Sequence, residues 1–170
     1  MILIQPFKSA EDKVEKLYED FPFDHEELDL KKDIKESYSE KRDQYDAYEY
    51  LSSCDKTGKK NDKIVLGITD KDLFVPKLNF VFGLAQKNGY GCIISTNRLG
   101  EGGLLKERIL KEAVHEIGHV VGLEHCLDNN CVMYFSNSLS DSDRKTGWFC
   151  ENCFDKFKKR EEKRSLRLDY

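Results

Sequence analysis

Residues 115–125 read H-E-I-G-H-V-V-G-L-E-H, from His115 through Glu116 and His119 to Gly122 and His125. A helix advances about 100° per residue, so His115 and His119 lie about 40° from each other on one face. That spacing lets two imidazoles hold one zinc ion. Glu116 stands about 100° round from His115, within reach of a water on that ion without being a ligand. Gly122 takes a positive φ at low cost and ends the helix. The chain then turns back, and His125 reaches the same ion from outside the helix. Three His ligands leave a fourth position for water, as a catalytic zinc requires. His-Glu-x-x-His alone is a weak signal. The added Gly122 and His125 sharpen it, because three of the chain's four histidines fall inside this window. The bland reading, an amphipathic helix with exposed histidines, leaves that clustering unexplained.

The helix around the motif is expected from about Leu104 to Val121, after a flexible break at Gly100–Gly103. Ile109, Leu110, Ala113, Val114, Ile117, Val120 and Val121 share one face, while Arg108, Glu112, His115 and His119 share the other. The helix thus has an apolar back for a sheet and a polar front carrying the motif. Gly118 costs up to about 1 kcal/mol of helix propensity relative to Ala. It permits close packing against a neighbour that the sequence does not name.

Upstream, Leu78–Ala85 and Gly89–Ser95 read as strands joined at Lys87-Asn88-Gly89, since Asn-Gly accepts the positive φ angles of tight turns. The hairpin brings one antiparallel strand to the sheet. At a sheet edge beside the zinc, its free backbone could pair with an extended peptide, though an edge strand is also simply how a sheet ends. Cys92 reads as a small core residue. Lys63–Thr69 is a continuous apolar run, the mark of a strand covered on both faces. Asp70 and Asp72 follow as strand and turn terminators rather than cation ligands. Nearer the N-terminus, Met1–Gln5 reads as a strand ended by Pro6. Ser9 caps a helix through Asp20 with a core stripe of Val14, Leu17, Tyr18 and Phe21. Leu28 and Leu30 mark a second strand at Glu27–Lys31, so the opening is β-α-β with a parallel pair. Residues 33–53 are expected to hold an irregular helix, and Asp55–Asp62 a polar loop around Gly58. His25 is expected at the surface, outside any ligand set.

The chain has 170 residues, which suits one domain with its own core. A net charge of −4 gives no reason to expect nucleic acid, and Glu161 and Glu162 interrupt the basic stretch Lys156–Arg164. No apolar run approaches the ~18–20 residues of a membrane span. Met1–Ile4 is too short for the core of a signal peptide. The expectation is a cytoplasmic monomer with no membrane and no nucleic-acid partner.

The cysteines extend the motif. Cys126 directly follows His125, and the pattern is C-x4-C-x18-C-x2-C through Cys131, Cys150 and Cys153. Two pairs separated by a longer loop match a closed, structural zinc site of four thiolates. It would tie a C-terminal helix, from about Asn152 to Leu166, to the loop carrying His125. Two disulfides or a redox Cys-x-x-Cys are the alternatives. A reducing compartment disfavours the first, and the missing strand before the pair disfavours the second. Met133, eight residues after His125, either floors the imidazoles or is an ordinary core Met.

With these residues in view, the sequence resembles the metzincin clan of zinc peptidases, and within it the archaemetzincin family. That family has Cys after the third His, then cysteines and a Met in the order seen here as Cys126, Cys131, Met133, Cys150 and Cys153. Leu66–Thr69 and Asn79–Gly83 are similar to the family with looser force. The resemblance implies an α+β (α/β-like) metzincin-like fold. Its parts are a twisted, mostly parallel mixed sheet with an antiparallel edge strand, an active-site helix, and a small C-terminal helical subdomain. The division falls at about residues 1–122 and 123–170 of a single catalytic domain. It further implies two zinc ions, a catalytic one on His115, His119 and His125 and a structural one on the four cysteines. Glu116 would be the general base and Met133 the Met-turn residue. Some metzincins add a zinc-ligating Tyr two residues after that Met. Here the position is Phe135, which excludes such a ligand. Phe135–Ser138 would line a specificity pocket. The expected function is zinc-dependent hydrolysis of peptide bonds in peptides or proteins. The alternative is a catalytically silent zinc protein serving as a peptide-binding or scaffold module.

Overall fold

The computed structural model describes residues 1–164. In chain order these form β1 (Ile2–Pro6), α1 (Glu15–Tyr18), β2 (His25–Glu27), β3 (Tyr38–Ser39), β4 (Gln44–Asp46), α2 (Ala47–Asn61), β5 (Val65–Thr69), β6 (Leu73–Phe74), β7 (Gly83–Ala85), β8 (Gly91–Ser95), α3 (Leu105–Val120), α4 (Leu139–Arg144) and α5 (Glu151–Lys163). The main sheet has the order β2-β1-β5-β8-β7. Its first four strands are parallel, and β7 joins β8 antiparallel at the edge.

The apolar runs explain this layering. Successive strand residues point to opposite faces, so a strand buried on both sides needs apolar residues throughout. Leu3, Val65 and Ile93 pack with Tyr50, Leu51 and Cys54 of α2 on one face. Ile2, Ile4, Leu66, Ile68, Cys92 and Ile94 belong to the core shared with Ile109, Ala113, Val114 and Ile117 of α3 on the other. The sheet therefore holds α3 by its apolar back and leaves the histidine face towards the cleft. No helix of the described residues is long and apolar enough to cross a membrane.

The mostly parallel sheet, its antiparallel edge and the β-α-β opening all match the expectation, but several local features differ. Ser9 caps no helix. Its hydroxyl donates to Asp33 at 2.7 Å and lies 3.0 Å from the Thr69 hydroxyl, and only Glu15–Tyr18 is α-helical there. The second strand sits at His25–Glu27, two residues earlier than the Leu28/Leu30 alternation suggests. Pro6 lies within β1 as its last residue rather than beyond it. The expected polar loop at Asp55–Asp62 is mostly the second half of α2, which Asp62 closes in the left-handed conformation with φ 51°. Of the irregular helix expected over 33–53, α2 supplies the part from Ala47 onward, while the part before it holds β3 and β4, which with β6 make a second small sheet. His25 stays outside any metal-ligand cluster, half-buried and stacked on Tyr18 at 5.0 Å. The expected end of the C-terminal helix, Leu166, lies outside the described residues.

Candidate metal centres and active site

His115 and His119 project from the last turns of α3. Gly122 follows with φ 98°, and the Leu123 N–H donates to the Gly118 carbonyl at 2.9 Å, closing the helix end. The reversed chain then brings His125 back to the helix. The three Nε2 atoms converge, with His119 Nε2 3.1 Å from His115 Nε2 and 3.2 Å from His125 Nε2. Nδ1 of His115 lies 2.7 Å from the Val132 carbonyl, and Nδ1 of His119 lies 2.8 Å from the Leu123 carbonyl. A carbonyl oxygen only accepts, so both Nδ1 atoms carry protons and both Nε2 atoms present lone pairs. Burial holds all three imidazoles below their ordinary pKa, His115 well below it. Neutral lone pairs aimed at one point need a cation between them. Tetrahedral zinc with bonds of about 2.0–2.1 Å sets its nitrogens roughly 3.3 Å apart, so the donor set fits the ion.

Glu116 is buried beside this cluster. Burial first, and then the neighbouring Glu112, push its carboxyl well above the usual carboxylate range, with Lys145 opposing them. A cleft of about 500 Å³ opens onto Glu116 and all three histidines. Gly83, Leu84 and Ala85 of β7 also line it, and β7 has a strand partner on one side only among the described residues. Gly83 is close-fitting: a Cβ there would stand 2.6 Å from Glu116 Oε1. The glycine thus lets the edge strand lie directly against the carboxylate.

Met133 is fully buried next to α3. A Cβ on Gly118 would stand only 2.4 Å from Met133 Sδ, which identifies the neighbour that the helix glycine accommodates. The adjacent Val132 supplies the carbonyl that orients His115. Phe135 lies against His125 with ring centroids 4.9 Å apart and presents no ligating atom.

The Sγ atoms of Cys126, Cys131, Cys150 and Cys153 lie within 4.8 Å of one another. Cys126 Sγ and Cys150 Sγ are 3.8 Å apart, far beyond the roughly 2.05 Å of a disulfide. Zinc–sulfur bonds of about 2.3 Å in a tetrahedron put sulfurs roughly 3.8 Å apart, so this set also fits zinc. Backbone N–H groups of Asp128 and Cys150 donate to the sulfurs of Cys126 and Cys131 at 3.5 and 3.3 Å. Burial pushes the Cys131 thiol up to about 11, so a thiolate there calls for a bound cation.

The three histidines and the four cysteines form these two clusters, Glu116 lies beside the histidines and Met133 against Gly118, and Phe135, Ser136 and Asn137 of the expected Phe135–Ser138 pocket line the cleft, whereas His25, Asp70, Asp72 and Cys92 lie apart from it. Lys145, its partner Glu112, and Ser136 also line or border the cleft. The polar front of α3 already held Glu112. A lone Lys in Asp141–Thr146 carried no pattern that could have marked Lys145.

A profile of peptidase family M54 matches residues 23–159. The archaemetzincin of Archaeoglobus fulgidus is 47% identical over 112 residues, which are 65% of this chain and 69% of that protein. A crystal structure of archaemetzincin from Archaeoglobus fulgidus, complexed with malonate, superposes with a TM-score of 0.81 at 40% identity, covering 91% of this chain and 98% of that one. The archaemetzincin structure from Methanopyrus kandleri gives a TM-score of 0.85 at 34% identity, covering 95% and 96%. With a zinc-fitting histidine cluster beside a buried glutamate, and a match over most of its length, this chain belongs to peptidase family M54 and is a zinc metallopeptidase of archaemetzincin type.

Proposed function

We propose that the chain hydrolyses peptide bonds using one zinc held by His115, His119 and His125 with Glu116 as general base. In the same reading, a second zinc on Cys126, Cys131, Cys150 and Cys153 is structural. The observation that carries this is the convergence of three imidazole Nε2 atoms beside a buried carboxylate, in a cleft bordered by a free strand edge. The catalytic zinc, when bound, supplies a Lewis acid that acidifies water and polarises a carbonyl. β7 offers its unpaired backbone to an extended peptide, which sets the scissile carbonyl over the histidines. Glu116 takes the proton of the attacking water and passes it to the leaving amine. The free thiols fit a reducing cytoplasm.

The test is Glu116→Ala on the full chain, with metal analysis beside a peptide-cleavage assay. Turnover should fall by about 10²–10⁴-fold, the usual contribution of a general base, while two zinc ions per chain remain. Wild-type activity in that variant would remove Glu116 from the mechanism. A folded, active chain without zinc would remove both metal assignments.

A further inference from the structure

The cleft holds two polar atoms that peptide hydrolysis as described does not use. Lys145 lines it with a fully buried side chain, and its Nζ makes no hydrogen bond among the described residues. Glu112 Oε1, at 3.3 Å, is its ion-pair partner, and the same oxygen is 3.3 Å from the Ser142 hydroxyl. Ser136 Oγ, which also belongs to the lining of the cleft, is likewise buried and without a partner among the described residues. An ammonium carries three donors and no acceptor. Folded proteins seldom leave such donors unmet without a functional reason. The surrounding walls are apolar, formed by Val75, Leu78, Phe80, Phe82 and Phe135, so an oxygen anion reaching Lys145 would meet little competing water. Glu112 precedes Glu116 by four residues of α3, about 5–6 Å along the axis. Lys145 thus lines the same cleft as Glu116 but is tied to α3 one turn before it, which suits a group on a substrate residue next to the scissile bond.

We propose that Lys145 and Ser136 form a specificity site for a substrate carboxylate close to the scissile bond. The inference rests on the cleft being the peptide site. Charge-assisted hydrogen bonds from an ammonium to a carboxylate are about twice as strong as neutral ones, and the walls alone would select an apolar side chain. Glu112 balances the Lys145 charge in the free cleft. The carboxylate comes either from an Asp or Glu side chain or from the peptide's own C-terminus.

The experiment measures binding, so that it reads out independently of cleavage. Zinc-loaded Glu116→Ala chain is titrated with fluorescent alanine-based peptides. One set is amidated and carries a single Glu, Gln or Leu at successive positions; a second set carries Leu with a free C-terminal carboxylate. At one position, or at the free terminus, the carboxylate should tighten binding at least tenfold over its neutral counterpart, and which set shows it identifies the source. Adding Lys145→Met should abolish that gain and leave the Leu peptide bound as before. Because Lys145→Met leaves Glu112 buried and uncompensated, the double change Glu112→Gln with Lys145→Met is tested alongside; neutral replacement of a buried pair is commonly tolerated. The gain should vanish there too. Equal binding of carboxylate and neutral peptides, or a gain that survives either Lys145 variant, overturns the proposal. Failure of the peptidase reading shows separately, as wild-type chain that binds these peptides without cutting any.

Discussion

Gly118 sits inside a helix where Ala would be favoured by up to about 1 kcal/mol, yet the site needs the smaller residue. An added Cβ would meet Met133 Sδ at 2.4 Å, Met133 Cε at 3.1 Å and Phe149 at 3.1 Å. Met133 is fully buried, so its sulfur has no free direction in which to retreat. Overpacking of this kind costs about 1–3 kcal/mol, which outweighs the propensity gain. Gly118→Ala is therefore expected to lower the urea midpoint and to weaken zinc retention at the histidines, because Met133 carries the segment whose Val132 carbonyl orients His115. A more stable variant with unchanged metal affinity would show that the gap tolerates a methyl. The glycine's peculiarity was legible in the sequence from helix propensity alone. Its partner was not, since Met133 comes 15 residues later and only the folded loop brings it over the helix. Lys145 is the stronger case of the same limit: nothing in its local pattern distinguishes a fully buried lysine from a surface one.

At the scale of elements, legibility followed how far periodicity was expressed in apolar residues. β5 and β8 are apolar runs and were readable as such. α3 shows a complete apolar face and was placed to within a residue at each end. α2 hid its second half, because Gly58 and a run of lysines imitate a loop. Its buried face continues through Tyr50, Leu51, Cys54, Asp55 and Gly58, which is helical spacing with two atypical members. Gly58 is there because the Tyr90 carbonyl lies 2.6 Å from where its Cβ would be. Asp55 fastens the same contact: it accepts the Tyr90 N–H at 2.8 Å and pairs with Lys59 at 2.6 Å. Burial pushes this carboxyl up, but Lys59 and the N–H groups of Tyr90 and Gly91 together pull it below its ordinary value. A depressed folded pKa means that stability is present above the unfolded value of about 3.9 and is lost as pH falls through the lower folded value. Asp55→Asn should therefore destabilise by about 1–3 kcal/mol at pH 7, the range for hydrogen bonds to charged groups and their loss. The gap from wild type should narrow as both are taken below pH 3.9. Urea midpoints of the two proteins at pH 7 and in acid measure this. A gap that stays constant across that range would mean that the ionised carboxylate contributes nothing specific.

For the whole molecule, the two clusters are not independent, because one short stretch serves both. His125 is joined through its peptide bond to Cys126. The Cys126 N–H donates to the Met133 carbonyl at 2.9 Å, and Cys126 bridges Tyr134 as a parallel pair. Cys131, in the thiol cluster, precedes Val132, whose carbonyl holds His115, and Met133, which packs on Gly118. Cys150 and Cys153 lie at the start of α5 and bring that helix to the same stretch. The segment from His125 to Met133 is thus gripped on one side by the imidazoles and on the other by the thiols, with few core residues of its own. The sequence made both clusters and their adjacency readable through spacing, but not the hydrogen bonds accepted by the Val132 and Met133 carbonyls that couple them. Since binding free energy at such a metal site is folding free energy, losing one thiolate should be felt at the catalytic centre without touching a catalytic group. Cys126→Ser is expected to drop zinc content towards one per chain and to lower the melting temperature. It should also cut kcat/KM by about tenfold or more, in line with the 10–100-fold cost of disturbing groups that orient metal ligands. If peptide cleavage and melting temperature both stayed at wild-type levels after the second zinc was lost, the thiol cluster would be a local staple for α5, and the histidines would be held by α3 and the Val132 carbonyl alone.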